Sequence, residues 1–172
     1  MRRALFLSVI LFLAAGCFAQ DSARGPSTRA ERDRALKVTH ELEADPLAPQ
    51  LTGDRNWLIQ WIQDVPDISV SICIDPASAT SRYRYGRELL MQKTFASAAY
   101  IIQNSARSRD DLSVEAAGVE GALRAYEAIV KKDPQARSAY WDRLLKKRSN
   151  GTLRDYIANY METACGSTQT QT

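Results

Sequence analysis

The chain has 172 residues, with 23 basic against 20 acidic side chains and a formal charge of +3. So even a balance excludes a nucleic-acid binder, because phosphate recognition needs a concentrated basic surface. A single histidine, His40, excludes a His-rich metal site, and Cys73 and Cys165, the two cysteines beyond the first apolar segment, are too distant to make a zinc cluster; no sequence motif for a cofactor is present.

The first segment, MRRALFLSVILFLAAGCFAQ, has the three parts of a secretory signal peptide. Arg2 and Arg3 supply a positive start, Ala4 to Gly16 an uncharged apolar run, and Ala14, Ala15, Gly16, Cys17 and Ala19 the small residues a peptidase needs. The run is shorter than the ~20 residues of a spanning helix. Cleavage between Ala19 and Gln20 satisfies the small-x-small rule, and makes residues 1–19 a signal peptide. Leu13 to Cys17 also resembles a bacterial lipobox, which would put a lipid on Cys17 as the one route to a membrane. Ala14 in the usual Leu position and bulky Phe18 after the cysteine favour the first cleavage. Without Arg2 and Arg3 the charge falls to +1.

Residues 20–28, containing DSARGPST, are small and polar around Gly25-Pro26 and predict a flexible linker. A helical domain over 29–165 follows, and 166–172 (GSTQTQT) lack any apolar residue and predict a disordered tail. The first helix runs from Thr28 to Ala44, capped by Ser27 or Thr28 with Glu31 completing a capping box, its stripe Ala35, Val38 and Leu42; Asp45-Pro46 stops it. The second, near Asp54 to Val65, presents Trp57 and Trp61 beside Leu58 and Ile62, a face that must be buried or bind a partner.

The stretch VPDISVSICIDP, 65–76, alternates like a strand, yet no second alternating run exists to pair with it. With Asp67 placed after Pro66 as an N-cap, a short helix or turn is the expected outcome. A helix from Ser81 to Gln103 carries Met91, Phe95, Ala98 and Ile102. The next, Ser113 to Lys132, repeats Leu112, Ala116, Val119, Leu123, Tyr126 and Val130, with a small-residue seam of Gly118, Gly121, Ala122 and Ala125 that lets a neighbour approach closely. Asp133-Pro134 ends it. A sixth helix, Gln135 to Arg148, buries Trp141, Leu144 and Leu145; Asn150-Gly151 caps it, and a seventh starts at Thr152. The expected fold is all-α, a compact bundle of six to seven helices.

Cys17 leaves with the signal or carries lipid, so Cys73 and Cys165 remain. In an oxidising compartment an even pair favours a disulfide, the alternative being two separately buried thiols. The sequence offers no catalytic residue: His40 has no partner nucleophile, and no strand-turn-helix elbow is present. The most unusual polar stretch is SRYRYGRELL, where Arg82, Arg84 and Arg87 interleave with Tyr83 and Tyr85 at a helix start, against the helix dipole. It reads either as an anion or partner site of guanidinium forks flanked by tyrosines, or as a solvated face paired with Glu88 and other acids.

VEGALRAYEAIVKKDPQAR, 119–137, resembles the second helix of a tetratricopeptide repeat through Ala122, Tyr126, Ala128 and Pro134; no 34-residue period accompanies it, so it implies a helical hairpin. Together with VPDIS it is also similar to uncharacterised exported bacterial proteins, a resemblance that implies the domain and no activity. The expected function is a non-enzymatic exported module, periplasmic or extracellular, that binds a protein or a cell-envelope component. An inhibitor or immunity-type protein is the first alternative, and an anion-binding module or enzyme centred on the three arginines the second.

Overall fold

Helix boundaries along the chain are set by short-range chemistry. In the computed structural model, which describes residues 24–79, 82–104 and 110–166, Thr28 accepts from the Glu31 amide while the Glu31 carboxylate takes the Thr28 amide at 2.7 Å. That capping box opens α1 (Arg29–Ala44), whose Ala35, Val38 and Leu42 are buried. A 3-10 turn at Pro49–Leu51 leads into α2 (Thr52–Asp64). There follow a one-turn α3 (Pro76–Ala79), then α4 (Gly86–Gln103), α5 (Asp111–Lys132), α6 (Ala139–Ser149) and α7 (Leu153–Ala164). The fold is all-α and compact, with no strand among the described residues. The signal segment with Cys17, Ala19 and Gln20, the start of the linker, and residues 167–172 lie outside the described residues.

α4 and α5 form the central pair. α1, α2 and the segment after α2 pack on one side, around Leu42, Leu58, Trp61 and Phe95. On the other side α5 meets α6 and α7 around Leu123, Leu144, Leu153 and Ile157. The small-residue seam makes this pairing close. A Cβ built on Gly121 would run into the Ala96 methyl and come within 3.0 Å of Glu43 Oε1, and one on Gly118 would meet Ser97 Oγ and, at 2.9 Å, the Lys93 carbonyl. Gly121→Ala is therefore expected to cost about 3 kcal/mol in urea unfolding, since backbone must move to admit the methyl. Gly53→Ala, in α2 with open space around its Cα, is expected to add about 0.5 kcal/mol.

Three elements depart from the sequence expectations. Residues 65–75 form neither a helix nor a paired strand: after a turn at Pro66-Asp67 the chain reaches α3 without a regular element. Asp67 caps nothing, because its two carboxylate oxygens accept from the Ser27 amide and hydroxyl, each at 2.7 Å. Those bonds also bury Ser27, so the last residues before α1 are held in place. Second, α4 starts at Gly86 rather than Ser81. Tyr83 and Tyr85 turn inward to pack with Tyr126, and the Gly86 amide closes a turn on the Tyr83 carbonyl at 3.0 Å. Third, the sixth helix is divided: Asp133 caps a 3-10 turn at Pro134–Ala136, Arg137 is extended, and α6 begins at Ala139. Its end is as read, with Gly151 at φ +72, a left-handed position that suits glycine.

Candidate functional site

α4 is buried on every side along most of its length, so the polar residues within it have no solvated face to occupy. Lys93 is 9 % exposed and Glu115, on the facing side of α5, only 3 %. Lys93 Nζ lies 2.5 Å from Glu115 Oε1 and donates to the Cys73 carbonyl at 2.6 Å. The Tyr160 hydroxyl, from α7, donates to the same Glu115 oxygen. Two charges in the interior thus have each other and two further hydrogen-bonding groups, which such a pair needs to offset its desolvation.

Asp75, 6 % exposed, lies at the end of the segment that precedes α3. Its Oδ1 accepts from the Ala77 amide at 2.8 Å, capping α3, and its carbonyl accepts from Ser78 Oγ at 2.6 Å. Its Oδ2 accepts from Tyr140 at 2.9 Å and Tyr156 at 2.5 Å. No cation pairs with it among the described residues. Asp75 and Lys93 line a cavity of about 190 Å³ together with Tyr83, Tyr140, Trp141 and Tyr160. Ile74 and Leu90 line it too while remaining 47 % and 42 % exposed.

The phenols of this cluster resist ionisation. Burial, and then the hydrogen bond and charge of Asp75, push Tyr156 up to about 12. Burial followed by Asp75 raises Tyr140, and burial followed by Glu115 raises Tyr160. A phenol whose folded value exceeds its unfolded value of about 10 stabilises the fold fully below pH ~10 and loses that contribution as pH rises. A titration followed at the phenolate absorbance is therefore expected to show Tyr140, Tyr156 and Tyr160 silent at pH 10 to 11. They should ionise near or above pH 12, together with loss of helical circular dichroism.

The structure brings Cys73 and Cys165 together as a disulfide, their Cα atoms 6.0 Å apart. It pins the segment before α3 to the end of α7 at Cys73, whose carbonyl the Lys93 ammonium holds. The arginine–tyrosine stretch is divided instead. Tyr83 and Tyr85 are half-buried, Arg84 pairs with Asp133 and lies 4.7 Å over the Tyr85 ring, and Arg82 and Arg87 are exposed with no ion pair among the described residues. One of the three forks is thus already neutralised. The tryptophan face of α2 is divided: Trp61 is buried, and the half-buried Trp57 stacks on it at 5.8 Å under the Arg34 guanidinium at 3.9 Å. His40 is solvent-exposed, 3.6 Å from a Glu43 carboxylate that Arg124 grips with two bonds of 2.9 and 2.8 Å.

Sequence reasoning missed Lys93, Glu115 and Asp75. The signal for Lys93 was there: in LLMQKTFASAAYII no face is polar enough to keep a lysine in water. Glu115 and the tyrosine hydroxyls carry no local mark, since they become a site only when α7 folds across α5. Among the described residues, no group of three or more His, Cys, Asp or Glu side chains is placed to hold a metal ion, and no helix is long and apolar enough to cross a membrane. No family model, curated protein or solved structure matches this chain.

Proposed function

We propose that the chain is an exported, non-enzymatic module that binds a partner protein of the cell envelope by accepting an extended stretch of it along residues 69–74. One observation carries this reading. Among the described residues, no peptide group from Ser69 to Ile74 makes a backbone hydrogen bond to another, and the Cys73 carbonyl alone is used, by Lys93. A backbone stretch with unused donors and acceptors is a template for an added strand. Ser71 is exposed, and so are Ile72 and Ile74, at 45 % and 47 %. The segment is held at both ends, by the Asp67–Ser27 bonds and by the disulfide, so little ordering entropy is lost on binding. The leader pattern and the disulfide both support an oxidising compartment outside the cytoplasm.

The test is capture of envelope proteins by residues 20–172 against an Ile72→Asp/Ile74→Asp variant that keeps its disulfide and melting temperature. At least a tenfold loss of the captured partner is the expected result, and undiminished capture by the variant would sink the proposal. Intact mass of the exported form reports in the same preparation whether Gln20 is the first residue or Cys17 carries lipid.

The inhibitor reading keeps one observation in its favour, the stapling of an exposed segment by the Cys73–Cys165 bond. It is separated by the occupant: an inhibitor blocks a hydrolase at near-stoichiometric ratio, and that inhibition disappears with Ile72→Asp.

A further inference from the structure

The cavity between α4, α6 and α7 is a second feature, bordered by the end of the 69–74 segment at Ile74, and its chemistry is more specific than its size. Its aromatic lining is Tyr83, Tyr140, Trp141 and Tyr160, with Tyr140 edge-on to Trp141 at 5.2 Å. Two charged side chains line it. The Lys93 ammonium is matched by Glu115 and bonded to the Cys73 carbonyl, so that pair is neutral as a unit. Among the described residues the Asp75 carboxylate has only phenols and an amide for partners. The uncompensated charge at this cavity is therefore negative and surrounded by π faces, whose quadrupole also favours a cation. Arg143, the other cation near Tyr140, is exposed and lies 5.9 Å from the ring centroid. The Tyr83 hydroxyl, on a ring that lines the cavity, is buried with no hydrogen-bond partner among the described residues.

We infer that this cavity binds a small organic ammonium compound, an amine carrying one ring or a comparable apolar body. Its cationic head sits against Asp75 and the tyrosine faces, and its body lies against Leu89, Leu144 and Trp141. About 190 Å³ is somewhat more than an apolar cavity that accepts a benzene ring, so a ring with a two-carbon amine fits. The ammonium replaces its water shell with one carboxylate and aromatic faces, and the apolar body leaves water. Binding here does not require strand addition along 69–74, although Ile74 borders both surfaces, and the probes below leave Ile74 unaltered.

The probes are phenethylammonium and two neutral or anionic counterparts of the same shape, phenethyl alcohol and phenylacetate, titrated into residues 20–172. Calorimetry gives the affinities, and the Trp141 indole N–H resonance gives the location. The expected result is at least tenfold tighter binding of the ammonium than of either counterpart, with the Trp141 resonance shifting. Asp75→Asn should remove that preference, and Trp141→Leu should weaken the ammonium at least fivefold. Should Asp75→Asn fail to fold, the three probes on the unaltered protein decide alone. Equal or tighter binding of the alcohol or the carboxylate overturns the inference. So does a shift confined to Trp57 and Trp61, or no shift with any probe at 10 mM.

Discussion

Lys93→Met is expected to lower the unfolding free energy by about 3–5 kcal/mol, because it leaves a carboxylate charge in the interior with only a phenol beside it. Glu115 cannot reach water without opening the α4–α5 seam, where Gly118 and Gly121 leave no slack. The loss is a large fraction of the 5–15 kcal/mol that holds an ordinary domain together. It should appear in urea unfolding as a lower midpoint with the slope unchanged. Pairing Lys93→Met with Glu115→Gln should recover most of it, since the second change removes the orphaned charge rather than a contact. A single-variant cost below 1 kcal/mol would mean that the pair is solvated after all.

The disulfide is the second large term. Cys73 and Cys165 are 92 positions apart, and closing a loop of that length removes about 4.6 kcal/mol of entropy from the unfolded chain. Native strain and residual unfolded structure reduce such figures, so Cys165→Ser is expected to cost about 2–4 kcal/mol. The stability of the unaltered protein should fall by the same amount on adding dithiothreitol. The variant also tests the partner surface, because without its tether the segment must be ordered as it binds, and partner affinity should drop even where folding survives.

Much of the architecture was legible because helix ends are decided locally. Thr28 with Glu31, Asp45-Pro46, Asp133-Pro134 and Gly151 each act on residues within one turn, and each ended or began a helix where local chemistry required it. The glycine seam was legible too, since a stripe of small residues at helical spacing has one use. Residues 65–75 were misread for a non-local reason. Alternation announced an extended chain, but the absence of a second strand argued against one, and nothing nearby shows that Asp67 is claimed by Ser27, 40 positions earlier. The phase of the alternation also slips between Val70 and Cys73. Ile68 is buried, then Cys73 and Asp75 turn inward, so the isoleucines that looked most suited to the core face water. The candidate site was illegible for the same kind of reason. Asp75, Glu115 and the hydroxyls of Tyr140, Tyr156 and Tyr160 come from four separate elements, and no pairing among them is marked by sequence spacing.

The unpaired backbone at 69–74 and the tight α4–α5 seam also predict two opposite behaviours in hydrogen–deuterium exchange. Amides in the middle turns of α4 and α5 lie under packed elements on both sides and can open only when the whole domain unfolds, so they should be the last to exchange. Those of Ser69 to Ile74 have no bond to break among the described residues and should exchange within the dead time of the measurement, although the segment is held at both ends. Rapid exchange in a well-ordered stretch is uncommon, and it makes the segment a built-in reporter. Any partner that pairs with its backbone would appear as new protection at those few amides, before anything else about the partner is known.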